Sequence, residues 1–327
     1  MRPSVARRLA PVLRDQLGVI TSAQLRTAGV DLEVPRREGW LRLASGLWVV
    51  SQEPSDDQLL VALERYAPAA VASGALACRR HDLPYPPLDP GCSALAPHGA
   101  TLLGGPLITV HQTRHMPVGQ VVQAHRIAPV ARAVADAARW TTSLQEARAV
   151  VLGALQRRRT TAPALEAEQS AGALRNSARL SRALDDWYRG AFSAPEAEAA
   201  DALLALGGST PAFLLNPELR LNGVLIGVPD GWIPSAGLGW EMDSVQNHGS
   251  ASDLDATLSR HERFSDAGFS LRHITPARFR TDRDGWATDL AARAQRQQGW
   301  APPPGLVVVP RGPLLGGSGL DARRRAA

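Results

Sequence analysis

The sequence predicts an α+β chain of several domains. A length of 327 residues exceeds what a single hydrophobic core ordinarily serves. Helical and strand-like periodicities also occur in separate blocks rather than in one repeating unit, and the end of the chain turns rich in Pro, Gly and Arg. These shifts divide it into a helix-and-hairpin domain over 1–54, a central strand-containing and helical region over 55–190, an α/β domain over 191–298, and a tail over 299–327 that is expected to be disordered.

In the first block, Val5, Leu9, Val12 and Leu13 recur at helical spacing and Gly18 supplies a stop. Thr21 can cap a second helix that ends at Gly29. After Pro35, the stretch Leu41-Arg42-Leu43-Ala44 and Leu47-Trp48-Val49 alternates and turns at Ser45-Gly46, as a small β-hairpin does. Two or three short helices followed by a hairpin describe a winged helix. Its candidate phosphate contacts are Arg26, Arg36, Arg37 and Arg42. Glu33 and Glu38 dilute that patch, and a protein-contact module would use the same surface.

In the central region, Leu59, Leu60 and Leu63 form one helical stripe, and a second helix is predicted to continue from Val71 to Cys78. Between Pro84 and Pro129 the pattern becomes strand-like, with runs at 107–111 and 121–125. His81 reads as a structural residue among apolar positions. His98, His111, His115 and His125 have no carboxylate or Cys at zinc-ligand spacing. The block from Pro129 to Arg159 is helical and ends in Arg157-Arg158-Arg159, a charge run suited to a helix C-terminus. A further helix or two follows to Gly190.

Composition narrows the function classes. The formal net charge is +5, and all 36 basic residues are Arg, since the sequence contains no Lys. Arg suits bidentate phosphate contact, so an anionic partner such as DNA is favoured, although a GC-rich genome would give the same bias. Cys78 and Cys92 fit neither a disulfide framework nor a zinc pattern. The start Met1-Arg2-Pro3-Ser4 lacks a signal peptide's apolar core, and Glu64 and Arg65 interrupt the apolar stretch from Leu59 to Leu76. A cytoplasmic protein without a membrane segment is therefore expected.

The most chemically suggestive stretch runs from Leu221 to Thr275. An apolar run (Val224, Leu225, Ile226, Val228) delivers Asp230, a Pro- and Gly-rich turn follows, and a second strand carries Glu241 and Asp243. Residues two apart on a strand share a face, so these carboxylates project together and Met242 points the other way. If the strands pair through the turn, Asp230 reaches the same edge. Three carboxylates there would repel one another unless a cation lay between them, and Mg2+ or Mn2+ is the expected ion. His248 follows as a candidate general base or acid. Each residue also has an ordinary structural reading: Asp230 in a turn, Glu241 and Asp243 on an exposed edge, His248 in a loop.

From Ser193 to Ala294 this arrangement resembles the PD-(D/E)xK nuclease superfamily, in its branch related to very-short-patch repair endonucleases. The likeness is carried by Glu196 or Glu198 on a leading helix, Asp230, Glu241-Met242-Asp243, His248, the segment Asp253 to Ala267, and Leu271-Arg272-His273-Ile274-Thr275. It implies a restriction-endonuclease-like α/β domain in which Asp230, Glu241 and Asp243 hold the metal. His248 would move a proton, Glu198 (less readily Glu196) would reach in from the helix, and Arg260, Arg263 and Arg272 would neutralise phosphate charge. Two departures stand out: Ser244 occupies the family's Gly position, and the superfamily's Lys is absent. The start of the chain, with Ala72 to Leu83, resembles abortive-infection-type antitoxins. The implied function is a metal-dependent DNA endonuclease directed by an N-terminal DNA-binding module, in phage defence or a toxin-antitoxin setting. The alternatives are a DNA-binding transcriptional regulator or antitoxin with an inactive nuclease fold and a toxin or other protein partner, and a protein-interaction scaffold.

Overall fold

The computed structural model describes residues 3–100, 104–171, 177–242 and 261–317. Helices and strands are mixed throughout, and the chain divides into two compact units, Met1–Ser181 and Arg182–Ala327.

The first unit opens with α1 (Pro3–Asp15), β1 (Val19–Thr21), α2 (Ser22–Thr27), α3 (Val34–Arg37), β2 (Leu41–Ala44) and β3 (Leu47–Val49). Gly18 leaves α1 with a φ of +83°, a conformation that favours glycine. Thr21 and Gln24 form a reciprocal capping box at the start of α2, which satisfies orphan amide groups there. The strands make an antiparallel sheet in the order β1-β3-β2, and Leu9, Ile20, Leu25, Val30, Val34 and Trp40 form the core beneath it. Residues 19–21, expected only to link two helices, are thus a strand.

Next come α4 (Asp56–Tyr66), β4 (Val71–Ser73), α5 (Gly74–Arg80), β5 (Cys92–Pro97), β6 (Ile108–Thr113), β7 (Gln120–Val122) and β8 (His125–Ile127). Their five strands form a mixed sheet in the order β6-β5-β4-β8-β7. Two expectations are corrected here. The predicted helix over Val71 to Cys78 begins only at Gly74, because Val71–Ser73 is a fully buried inner strand. Gly74 turns the chain with a φ of +66°, and a side chain there would overlap the ring of Trp140. The run at 121–125 is likewise a hairpin rather than one strand: Gln123 and Ala124 have φ values of 49° and 71°, and β7 pairs antiparallel with β8. Residues 1–54 do not form a separate unit, since the Leu107 amide donates to the Leu43 carbonyl (3.2 Å) and Gln58 Nε2 donates to the Leu17 carbonyl (2.7 Å).

Helices α6 (Val130–Trp140), α7 (Leu144–Gln156) and α8 (Ala162–Ala171) complete this unit. A buried ionic network crosses them. Asp136 accepts from Arg132 Nε (2.7 Å), Arg139 Nη1 (3.2 Å) and Ser73 Oγ (2.8 Å). The same guanidinium groups donate to the His115 carbonyl (3.0 Å) and the Glu168 carbonyl (2.8 Å). One carboxylate therefore ties β4, α6, α8 and the loop after β6.

Helix α9 (Ala178–Tyr188) spans the division. The second unit continues with α10 (Ala194–Leu204), β9 (Leu214–Leu215), β10 (Glu218–Leu221), β11 (Val224–Gly227), β12 (Gly231–Ile233) and β13 (Leu238–Met242). Helical residues 261–266 (α11) lead to β14 (Ser270–Ile274), α12 (Pro276–Thr281), α13 (Arg283–Arg296) and β15 (Leu306–Val309). One sheet has the order β14-β13-β12-β9, with β14 parallel to β13, and the other is β11-β10-β15. Trp232 packs with Leu219, Phe264 and Phe269, while Trp240 meets Phe213 and Trp286 edge-on. The expected disordered tail is corrected for residues 302–317: β15 pairs antiparallel with β10, and Phe213 and Leu315 exchange backbone hydrogen bonds of 2.8 Å. The β-branched run Val307-Val308-Val309 outweighs the Pro- and Gly-rich composition around it. Among the described residues no helix is long and apolar enough to cross a membrane.

Breaking a buried ion pair from one side leaves uncompensated charge. Asp136→Ala should therefore destabilise the first unit by about 3–5 kcal/mol, read as a fall in the denaturant midpoint. A change within the range of a surface substitution would show that the network contributes little.

Candidate active site

The hairpin β12–β13 is set by one steric condition. Gly231 lies opposite Trp240, and any Cβ at Gly231 would overlap the indole. The register continued by one residue places Asp230 opposite Glu241. On the other side β13 runs parallel to β14, with Glu241 opposite His273. The Asn216 amide donates to the Asp230 carbonyl (3.1 Å), extending the pairing of β9 with β12. Asn216, Asp230, Glu241 and His273 thus lie in one row across the sheet, where neighbours interact directly.

The side chains along the row are held in detail. Asp230 Oδ2 accepts the Met242 amide (2.6 Å), which draws its carboxylate onto β13 next to Glu241. Glu241 is only 4% exposed, and its Oε2 lies 3.8 Å from His273 Nδ1. His261 of α11 stacks on His273 with ring centroids 4.0 Å apart and planes 22° from parallel. At the other end Asn216 Nδ2 donates to Glu196 Oε2 (2.6 Å). Glu196 also accepts from the Phe192 amide (2.8 Å) and Ser193 Oγ (2.7 Å), at the N-terminus of α10. Burial pushes the Glu196 carboxyl above its usual range, and the bonds from Phe192, Ser193 and Asn216 oppose that shift.

The expected site residues fare unequally. Asp230 and Glu241 come together as the hairpin requires. Asp243, His248 and Arg260 lie outside the described residues. The leading helix brings Glu196 rather than the favoured Glu198 to the row; the half-buried Glu198 lies about 200° further round the helix. Arg263 is exposed, with Nε donating to the Ile226 carbonyl (3.3 Å). Arg272 alternates with His273 along β14 and so takes the other face, where it is 3.8 Å from Asp289. In the first unit Arg26, Arg36, Arg37 and Arg42 are all exposed. Arg36 lies 3.5 Å from Glu33, and Arg42 sits 6.0 Å over the Trp48 ring.

Residues outside this site have structural surroundings. His81 Nε2 lies 2.8 Å from the Ala128 carbonyl. His111 stacks on Trp140 at 4.0 Å, and burial lowers its pKa. His125 Nδ1 is 2.8 Å from Glu64. Cys78 and Cys92 are buried, which pushes both thiols up to about 12, so neither supplies a thiolate nucleophile.

Among the described residues no group of three or more His, Cys, Asp and Glu is arranged to hold a metal ion. Asp230 and Glu241 nevertheless present the hard oxygen donors that Mg2+ or Mn2+ takes. His261 and His273 are the polar groups missed from sequence. His273 stood within the 271–275 segment without a role, because its neighbour depends on the register of a parallel strand reached through a helix.

No protein-family model matches this sequence, and no curated protein matches it significantly. Among solved structures, the crystal structure of the RV2827C protein from Mycobacterium tuberculosis is similar over 57% of this chain and 78% of that chain, at 18% identity and a TM-score of 0.37. A likeness of that size defines neither fold nor function.

Asp230→Ala orphans the Met242 amide and should cost about 1–3 kcal/mol, whereas Asp230→Asn keeps an acceptor and should cost less; equal denaturant midpoints would refute the bond's importance. Glu196 gives a pH signature. Its folded carboxyl keeps a proton to higher pH than the unfolded chain does, so its contribution is fully present below the unfolded pKa and falls as pH rises towards the folded pKa. Glu196→Gln should flatten that part of the stability–pH curve, and an unchanged slope would overturn the assignment.

Proposed function

We propose that the protein is a metal-dependent DNA endonuclease that hydrolyses phosphodiester bonds and is directed to DNA by its N-terminal module. The observation that carries this reading is the row in which Asp230 and Glu241 adjoin the His273 imidazole. Hard carboxylates beside a group able to move a proton are what phosphodiester hydrolysis needs. The order α10, β12–β13, α11, parallel β14 also agrees with the helix, hairpin, helix and strand of the PD-(D/E)xK resemblance.

Asp230 and Glu241 would hold Mg2+ or Mn2+, which when bound polarises the scissile phosphate and eases deprotonation of water. His273 would take a proton from the attacking water or return one to the leaving oxygen. His261, stacked on it, fixes the plane of the imidazole. Asp243 and His248 remain candidates for a further oxygen ligand and a second proton-transfer group. In the N-terminal module, the order α1-β1-α2-α3-β2-β3 with sheet order β1-β3-β2 suits a winged helix, and exposed Arg26, Arg36, Arg37 and Arg42 suit phosphate contact.

A second reading is favoured by one observation, the absence of any Lys: a DNA-binding regulator or antitoxin with an inactive nuclease fold, acting with a toxin or other protein partner. Nicking of supercoiled plasmid and cleavage of single-stranded DNA separate the two. The parent should cut with Mg2+ or Mn2+, and Asp230→Asn and Glu241→Gln should each lower the rate at least about 100-fold. Folded variants and parent that all bind DNA and never cut it would establish the regulator instead.

A further inference from the structure

We infer that a cleft between β14, α12 and α13 seats a single nucleotide unit of a nucleic acid strand. This deepens, and rests on, the reading of the second unit as a domain that handles nucleic acid. The cleft has a volume of about 240 Å³ and is lined by Arg272, His273, Arg278, Asp282, Trp286 and Asp289 among others. Drug-sized pockets span roughly 300–1,000 Å³, so this one suits a mononucleotide-sized group and is far too small for a duplex. Strand β14 lies at the edge of its sheet. Alternation along it gives His273 to the face of Glu241 and Arg272 to the face of Trp240, on the side of Trp286.

The charges lining the cleft are unevenly engaged. Asp282 caps α13 by accepting the Gly285 amide (3.1 Å). Asp289 is held by Arg293 Nε (3.1 Å) and stands 3.8 Å from Arg272. Arg278 is exposed and, among the described residues, is paired with no carboxylate. Both acids are thus occupied by their own helix, while two guanidinium groups remain to meet an anion. Guanidinium forks match phosphate oxygens bidentately.

Trp286 supplies the second half of a nucleotide site. It is half-buried, fixed edge-on against Phe279 (centroids 5.1 Å apart) and Trp240 (6.1 Å), and it lines the cleft between the cations. A held indole offers a base a stacking surface without sequence preference. Its contact with Trp240 also links the cleft to the row, because Trp240 directly precedes Glu241 on β13.

Tryptophan emission, titrated in EDTA with thymidine monophosphate and with a short oligodeoxythymidylate, tests this. The nucleotide should quench the parent, and inorganic phosphate should not. Trp286→Phe should abolish the quench. Arg278→Ala should weaken both ligands about tenfold and lower the salt slope of oligonucleotide binding by about one, while Arg278→Lys should weaken them less. Circular dichroism confirms that each variant is folded. If Arg278→Ala and Trp286→Phe respond as the parent does, or inorganic phosphate competes as well as the nucleotide, the proposal is overturned. Because the assay contains no metal ion, nucleotide binding without plasmid nicking would refute the endonuclease and leave the seat standing; nicking without a nucleotide response would refute the seat alone.

Discussion

The second unit depends on the absence of one side chain. Trp240 lies across Gly231, and β12 and β13 can close only because nothing projects there. From that closure follows the placement of Asp230 opposite Glu241. The two tryptophans of the hairpin then work on opposite faces of the sheet. Trp240 meets Phe213 and Trp286 on the α13 side. Trp232 gathers Phe264, Phe269 and Leu219 on the other, which brings α11 down and with it His261. Aromatic burial of this kind supplies most of the energy of a small core, so the hairpin organises both layers while it positions the row.

The two units handle buried charge differently. In the first, Asp136 is matched by two guanidinium groups and a hydroxyl, a neutralised cluster that ties four elements together. In the second, the row runs from Glu196 through Asn216, Asp230 and Glu241 to a stacked pair of imidazoles. Such groups ligate metal ions and move protons, and concentrating them where burial raises a carboxyl such as Glu196 is characteristic of functional sites. The first cluster serves folding; the second has the composition of a reaction centre.

The proposed reading therefore rests on local chemistry. The row supplies hard oxygen donors and an imidazole, the cleft supplies guanidinium groups and an indole, and the N-terminal sheet presents exposed arginines. All three features suit a polyanion. The wholly Arg basic complement makes that preference insensitive to pH, because guanidinium groups stay charged throughout the accessible range.

The sequence by itself determined what short-range chemistry controls. The cap at Thr21, the stop at Gly18, the turn at Ser45-Gly46 and the strand–turn–strand from Asp230 to Glu241 are all fixed by residues within a few positions of one another. Tertiary structure decided the rest. Val71–Ser73 reads as helix from its small and apolar neighbours, yet burial between two other strands makes it sheet. Residues 306–309 look like part of a tail, yet β10 offers them an open edge. Glu196 reaches the row in place of Glu198 through the pitch of α10 and the position of Asn216. His273 adjoins Glu241 because a parallel partner arrives through a helix, and the register of that long-range pairing is set by packing of the whole layer rather than by the residues on the strand.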